Sequence, residues 1–229
     1  MNISGMRFLV VGGSGVLGGE LTKQLRALGA EVLATATSND SAGKIPAVAE
    51  VRLLLNYEDP QSIETLTDYL SGSTTIDGVI NASGVVAFGP ASEMTPAVLA
   101  KLFAINTTGP IQLLTALHPM LVASKQSGKE PVVVNITGVV AEQPLPNLAT
   151  YSATKTGIGG FLEAAAREWR RDGIRVVNVF PGHTETGLAD RAIAGTAPQF
   201  PQGMTAEHVA GRIIKALVED EKSVASSDF

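Results

Sequence analysis

Arg7-Phe8-Leu9-Val10-Val11-Gly12-Gly13-Ser14-Gly15-Val16-Leu17-Gly18-Gly19 decides how this chain folds. It opens as an apolar run with β-branched members and closes rich in glycine, and a helical stretch follows to about Leu28. The segment therefore reads as strand, tight turn, helix. Glycines at 12, 15 and 18 let the backbone turn sharply and come close to a ligand. The N–H groups and dipole at the start of the helix favour a phosphate. Glycine-rich turns also serve as plain connectors, but the strand before and the helix after favour nucleotide binding, with Gly12, Ser14, Gly15, Leu17 and Gly18 as its residues.

Working outward, Glu31 to Thr35 makes a second strand, and the residues after it bear on the choice of dinucleotide. A carboxylate there would bind a ribose 2′-OH and repel a 2′-phosphate. The chain instead has Ala36-Thr37-Ser38-Asn39, so NADP(H) is favoured over NAD(H), with hydroxyls from Thr37 and Ser38. Against this, Thr and Ser are common turn caps, no Arg lies beside them, and Asp40 is close. The link from Ser38 to Glu50 is broken by Gly43 and Pro46, which argues against a full helix there. Val51 to Leu55 is a third strand, with Asn56 and Tyr57 at its end to meet an adenine edge. Pro60 opens a helix to about Leu70, and Ile76 to Ala82 is a fourth strand closed by Asn81-Ala82-Ser83-Gly84.

Strands that are nearly continuous apolar runs, alternating with helices, indicate a single-domain Rossmann-type α/β fold over residues 1–229: a doubly wound parallel sheet with helices on both faces. Its ligands gather beyond the carboxyl ends of the strands. Thr95-Pro96 then begins a long helix through about Ser124, within which Asn106-Thr107-Thr108-Gly109-Pro110 forms helix poorly. Pro110 cannot donate to the carbonyl of Asn106, so a kink is expected that frees a carbonyl to hold a water. Read alone, Asn106 is a polar residue satisfied in a helix bend.

Tyr151 and Lys155 stand four apart at the start of a helix from Ala149 to Arg171 and so share one face. An ammonium beside a phenol favours the ionised phenol, which makes the pair a plausible general acid/base. The spacing alone is common on solvated helices. Gly157, Gly159 and Gly160 on this helix suit close approach, either of another helix or of the sheet beneath.

Composition excludes several other classes. A net charge of −5 and a pI near 5.2 argue against nucleic acid, and zero Cys excludes disulfides and thiolate chemistry. His118, His183 and His208 show no ligand spacing, so no metal is expected, and the lack of GK[ST] excludes a P-loop enzyme. No apolar run approaches the ~20 residues of a membrane span, and Met1 to Gly19 lacks a signal peptide's basic start. The expectation is a soluble, cytoplasmic protein without a membrane partner.

Taken together, the glycine turn, Asn81-Ala82-Ser83-Gly84, Asn106, the Tyr151/Lys155 pair and Pro181-Gly182-His183-Thr184-Glu185-Thr186 resemble the short-chain dehydrogenase/reductase family, in its compact single-domain branch. The likeness runs from about Arg7 to Thr186. Thr35-Ala36-Thr37-Ser38 with Leu55-Asn56 looks most like the 3-oxoacyl-acyl-carrier-protein reductases, which use NADPH. The resemblance implies an oxidoreductase that passes hydride between nicotinamide and a small carbonyl or alcohol substrate. Asn106, Tyr151 and Lys155 match three members of its catalytic tetrad. Cofactor contacts are implied at Gly12 to Gly18, Thr37, Ser38, Asn56, Tyr57, Asn81, Ala82, Gly84, Tyr151, Lys155, Pro181, Gly182, Thr184 and Thr186. A substrate-covering loop is implied at about 187–203, as is a homo-oligomer, a dimer rather than a tetramer because the carrier reductases' longer glycine-rich seventh strand is missing.

The fourth tetrad position, a serine thirteen residues before the tyrosine, is Gly138 here. Losing such a preorganised donor costs ~10²–10³ in rate. Thr137 should point to the opposite face, while Ser83 and His183 are further candidates for a replacement donor. Gly138 therefore opens an alternative reading, a catalytically weak NADP(H)-binding sensor or regulatory protein on the same fold.

Overall fold

The computed structural model describes residues 1–73 and 75–229. Seven strands, β1 (Arg7–Val11), β2 (Glu31–Ala36), β3 (Val51–Leu54), β4 (Gly78–Asn81), β5 (Val132–Ile136), β6 (Arg175–Val179) and β7 (Ser223–Val224), form one parallel sheet in the order β3-β2-β1-β4-β5-β6-β7. β1 to β4 stand where the apolar runs predict them. A seventh strand is present after all, cut to two residues that pair with Asn178 and Val179 of β6.

Because successive strand residues face opposite ways, β1 alone feeds two cores. Phe8 and Val10 pack with Leu21 and Leu25 of α1 (Val16–Ala27) and with Val209 and Ile213 of α7 (Ala206–Val218). Leu9 and Val11 face Leu66 and Leu70 of α3 (Pro60–Ser73), Leu113 and Leu117 of α5 (Gly109–Gln126) and Ile158 and Leu162 of α6 (Ala149–Trp169). Each such side chain contributes ~1.5–3 kcal/mol on burial, and this covers the sheet on both faces.

The connection from β2 to β3 holds only the four-residue α2 (Asn39–Ala42), as Gly43 and Pro46 suggest. The long helix expected from Pro96 is split into α4 (Pro96–Phe103) and α5 by a π-helical turn, Ala104–Thr108, just ahead of Pro110. By length and composition alone the run Pro96–Gln126 is long and apolar enough to cross a membrane. In the fold, its Leu102, Leu113, Leu114, Leu117 and Leu121 are buried in the protein.

Strand order grows from β1 outward to β3, then resumes on the other side of β1 with β4. The crevice at this switch point, beyond the carboxyl ends of β1 and β4, is where an open sheet of this kind holds a ligand.

Candidate active site

At the end of β1, Gly12 takes φ +79°, and a Cβ there would press on the Ser83 N and the Ala82 carbonyl carbon at 3.0 and 3.1 Å. A Cβ on Gly18 would collide with the Gly12 carbonyl. The turn is held by Gly12 N donating to Thr35 Oγ1 (3.1 Å) and Gly15 N to Gly12 O (3.0 Å). No side chain caps α1 and no acid lies in its first turn, so the cradle fits a pyrophosphate on its backbone N–H groups. Ser14 is half-buried in this turn, and Leu17 leans on the α1/α7 core.

Farther out, Ser38 is the N-cap of α2: its Oγ accepts from Ser41 N at 3.2 Å, and its own N donates to Ser41 Oγ at 3.0 Å. The turn-capping alternative thus holds for Ser38, while Thr37 adds its hydroxyl 3.4 Å from Ser41 Oγ. Asn56 braces its own turn, accepting from Glu58 N at 3.1 Å. Tyr57 points inward. Its ring lies where a Cβ on Gly109 would be, its hydroxyl faces Ser83 without a well-formed hydrogen bond, and burial pushes its pKa up. It can floor an adenine pocket, but it does not offer an exposed edge.

The residues at the ends of β4 and β5 converge with those on α6. Lys155 is buried, and its ammonium donates to the Ile136 carbonyl at 3.0 Å and lies 5.8 Å from the centroid of the Tyr151 ring. Gly84 sits over both Lys155 and Asn106: a Cβ on it would be 3.4 Å from Lys155 Nζ and 3.3 Å from Asn106 Oδ1. Asn106, in the π turn, clamps the strand-end loop from both sides, accepting from Val85 N and donating to Val85 O, each at 2.9 Å. It also donates to Thr154 Oγ1 at 3.2 Å. With that side chain fully engaged, a water would have to be held by the Asn106 carbonyl.

Burial holds the Tyr151 phenol up at about 12 and depresses the Lys155 ammonium to about 8. The lowering of the phenol's pKa expected from the neighbouring cation is therefore not what this structure gives. Desolvation dominates, and the ammonium's hydrogen bond goes to a backbone carbonyl.

Gly138 is more than a side chain deleted. Its backbone is at φ 90°, ψ 153°, a region open essentially to glycine alone. The N–H groups of Thr137 and Gly138 both point at one acceptor, Val179 O (2.8 and 3.1 Å), so the strand end is bulged. Space exists at Gly138, where a Cβ would meet only Pro181 O at 3.8 Å. Thr137 turns away, as strand alternation predicts: fully buried, it donates to Asn178 Oδ1 and accepts from Asn135 Nδ2 at 2.8 Å. It is one link in a buried polar chain. Ser83 Oγ donates to Asn81 Oδ1 and Asn81 Nδ2 to Asn135 Oδ1, both at 2.7 Å. Beyond Thr137 the chain ends at Asn178 Nδ2, which has no partner among the described residues.

Beyond β6, Pro181 O accepts from Val139 N (2.9 Å), Thr184 Oγ1 donates to Gly182 O (3.0 Å), and Thr186 N donates to Thr184 O (2.8 Å). His183 does not face Gly138. It stacks on Phe200 at 4.7 Å and lies 3.5 Å from Glu185. The loop carrying Phe200 is laced to the segment after β4: Ile193 N donates to Val86 O (2.8 Å) and Phe88 N to Ala194 O (2.9 Å). Tyr151 packs against the buried cluster Val86, Phe88, Val140 and Leu148, and Phe200 packs against the same cluster. Sequence reading placed Phe200 within the substrate-covering loop 187–203 but missed Val86, Phe88, Val140 and Leu148. They come from separated loop segments, and isolated apolar residues in loops carry no periodic signal.

The fold and the turns along its carboxyl edge define an α/β protein built for a nicotinamide dinucleotide. The chain belongs to the short chain dehydrogenase family, whose model matches residues 7–196. It is 30% identical over 226 residues to acetoacetyl-CoA reductase of Shinella zoogloeoides, covering 93% of this chain and 90% of the relative. To 3-oxoacyl-[acyl-carrier-protein] reductase FabG of Escherichia coli (strain K12) it is 29% identical, covering 100% of this chain and 96% of that enzyme. In fold it is similar to a short-chain dehydrogenase from Sphingobium yanoikuyae solved in complex with NADPH, with a TM-score of 0.86 at 23% identity over 96% of this chain and 87% of the other.

Proposed function

We propose that the protein is an NADP(H)-dependent oxidoreductase interconverting a carbonyl and an alcohol on a small molecule. What carries the reading is the buried Lys155 ammonium beside Tyr151, with Asn106 locked to the same strand-end loop under Gly84. A protein that only binds cofactor has use for the lysine but none for the phenol. When bound, the nicotinamide would supply or accept the hydride.

The chain's own residues do the rest. Gly12, Ser14, Gly15, Leu17 and Gly18 cradle the pyrophosphate, and Tyr57, Asn56, Asn81 and Ala82 border the adenosine side. Lys155 holds the nicotinamide ribose, and Pro181, Gly182, Thr184 and Thr186 flank the nicotinamide. Tyr151, neutral at physiological pH, gives its proton to the carbonyl oxygen in reduction and recovers it in oxidation. Asn106 holds the loop after β4 and, through its carbonyl, a relay water. NADP(H) is preferred because no carboxylate ends β2 and the hydroxyls of Thr37 and Ser38 gather there, Ser38 serving also as a cap. We place the enzyme in the cytoplasm as a homodimer, with Gly160 of α6 leaving open space on the outer face.

The second reading, a weakly catalytic NADP(H) sensor, is favoured by one observation, the glycine-only backbone at Gly138. NADPH consumption over a panel of ketones, aldehydes and quinones separates the two. Turnover that disappears in Tyr151→Phe supports the enzyme. Tight NADPH binding with no turnover on any member supports the sensor.

A further inference from the structure

A cleft beside the apolar cluster on which Tyr151 packs says what kind of molecule lies next to that residue, and this step rests on the oxidoreductase reading above. The cleft holds about 560 Å³, room for a small organic molecule, and lies between the loop after β4, the loop before α6 and the 187–203 segment. Phe88 and Leu148 on its wall belong to the buried cluster against which both Tyr151 and Phe200 pack, and Phe200 lines the cleft as well. Phe88 and Phe200 tilt together at 6.1 Å, and His183 backs Phe200 as a stacked ring. Gly195 seats the lid segment directly on the Phe88 carbonyl, where any Cβ would collide.

Charge is the second observation. Glu93 is the one charged residue lining the cleft. Across 84–98, 139–150 and 187–203 the acids are Glu93, Glu142 and Asp190, and the one base is Arg191, which donates to the Thr186 carbonyl at 3.3 Å. A carrier thioester brings phosphates to the mouth of such a cleft, and phosphates call for Arg or Lys. Here they would meet net negative charge.

We propose that the substrate is an uncharged carbonyl compound with a bulky apolar, preferably aromatic, body, and that coenzyme A and acyl-carrier thioesters are excluded. Phe88 and Phe200 grip the body and Glu93 repels the anion.

The probes are 2-tetralone and acetoacetyl-coenzyme A, titrated calorimetrically into the protein loaded with NADP, with turnover followed separately. Saturable binding of 2-tetralone, at least tenfold tighter than that of acetoacetyl-coenzyme A and weakened about tenfold or more in Phe200→Ala, is the expected result. The exposed substitution Glu93→Lys, which does not threaten folding, is expected to narrow the gap by strengthening thioester binding. Equal or tighter thioester binding by the unaltered protein overturns the proposal, as does 2-tetralone affinity indifferent to Phe200→Ala or thioester binding indifferent to Glu93→Lys. Should 2-tetralone bind as expected without turnover, the specificity stands and the catalytic reading above is what fails.

Discussion

Gly138 illustrates how much a single position can hold. A serine here would need φ near 90°, and residues forced into this region cost ~1–3 kcal/mol. Gly138→Ser is therefore expected to lower the thermal midpoint by several degrees, which a calorimetric scan would detect. A neutral effect would mean that the bulge relaxes easily. The hydroxyl it adds faces open space, so any gain in turnover would come only through that relaxation. Tyr151→Phe removes the proton donor but leaves the ring packed against the cluster of Val86, Phe88, Val140 and Leu148. Turnover should vanish while the dissociation constant for NADPH, read from its fluorescence, stays within a few-fold. Unchanged turnover would remove Tyr151 from the chemistry.

Between elements, the contacts that matter are backbone against backbone, and glycine makes them possible. Gly195 at φ +70° lies against the Phe88 carbonyl, so Gly195→Ala should lift the 187–203 segment. Faster amide exchange at Ile193 and Phe88, whose N–H groups bond across this seam, would record it. Unaltered protection would show that the seam does not depend on that approach. These long-range contacts also mark what the sequence could and could not reveal. Apolar runs and turn chemistry sufficed for β1 to β4, for the shortness of α2 and for the break ahead of Pro110, because each is a local preference. The convergence of Gly84, Asn106 and Lys155 follows from motif order. The inward turn of Tyr57, the glycine-only backbone at Gly138 and the apolar wall over Tyr151 do not, since each is settled by what a distant segment brings alongside. Gly159 and Gly160 divide two readings that were open: Gly159 faces Asn178 and Thr137 of the sheet, and Gly160 faces outward.

For the molecule as a whole, the buried Lys155 ties stability to pH. Its pKa, about 8 when folded against a usual 10.5, means that the unfolded chain holds the proton more tightly. The cost of the buried charge, ~3 kcal/mol in order of magnitude, is present in full below pH 8 and is relieved as pH rises toward 10.5. Tyr151 acts the other way, from pH 10 to about 12. The cofactor-free protein should thus gain thermal stability from pH 8 to 10, and Lys155→Met should flatten the rise. A profile identical in the variant would assign the effect to other groups. NADP at a hundredfold excess over its Kd should add ~2.7 kcal/mol, and NAD at the same concentration less. Equal shifts would remove the proposed preference. The sheet's borders have a consequence of another kind. Its ladder narrows from five or six residues at β1, β2, β5 and β6 to four at β3, which shows Arg52 to solvent, and to two at β7. A stray extended chain finds hardly any rungs to zip onto, so crowding or partial unfolding of the helices should yield amorphous precipitate sooner than fibrils.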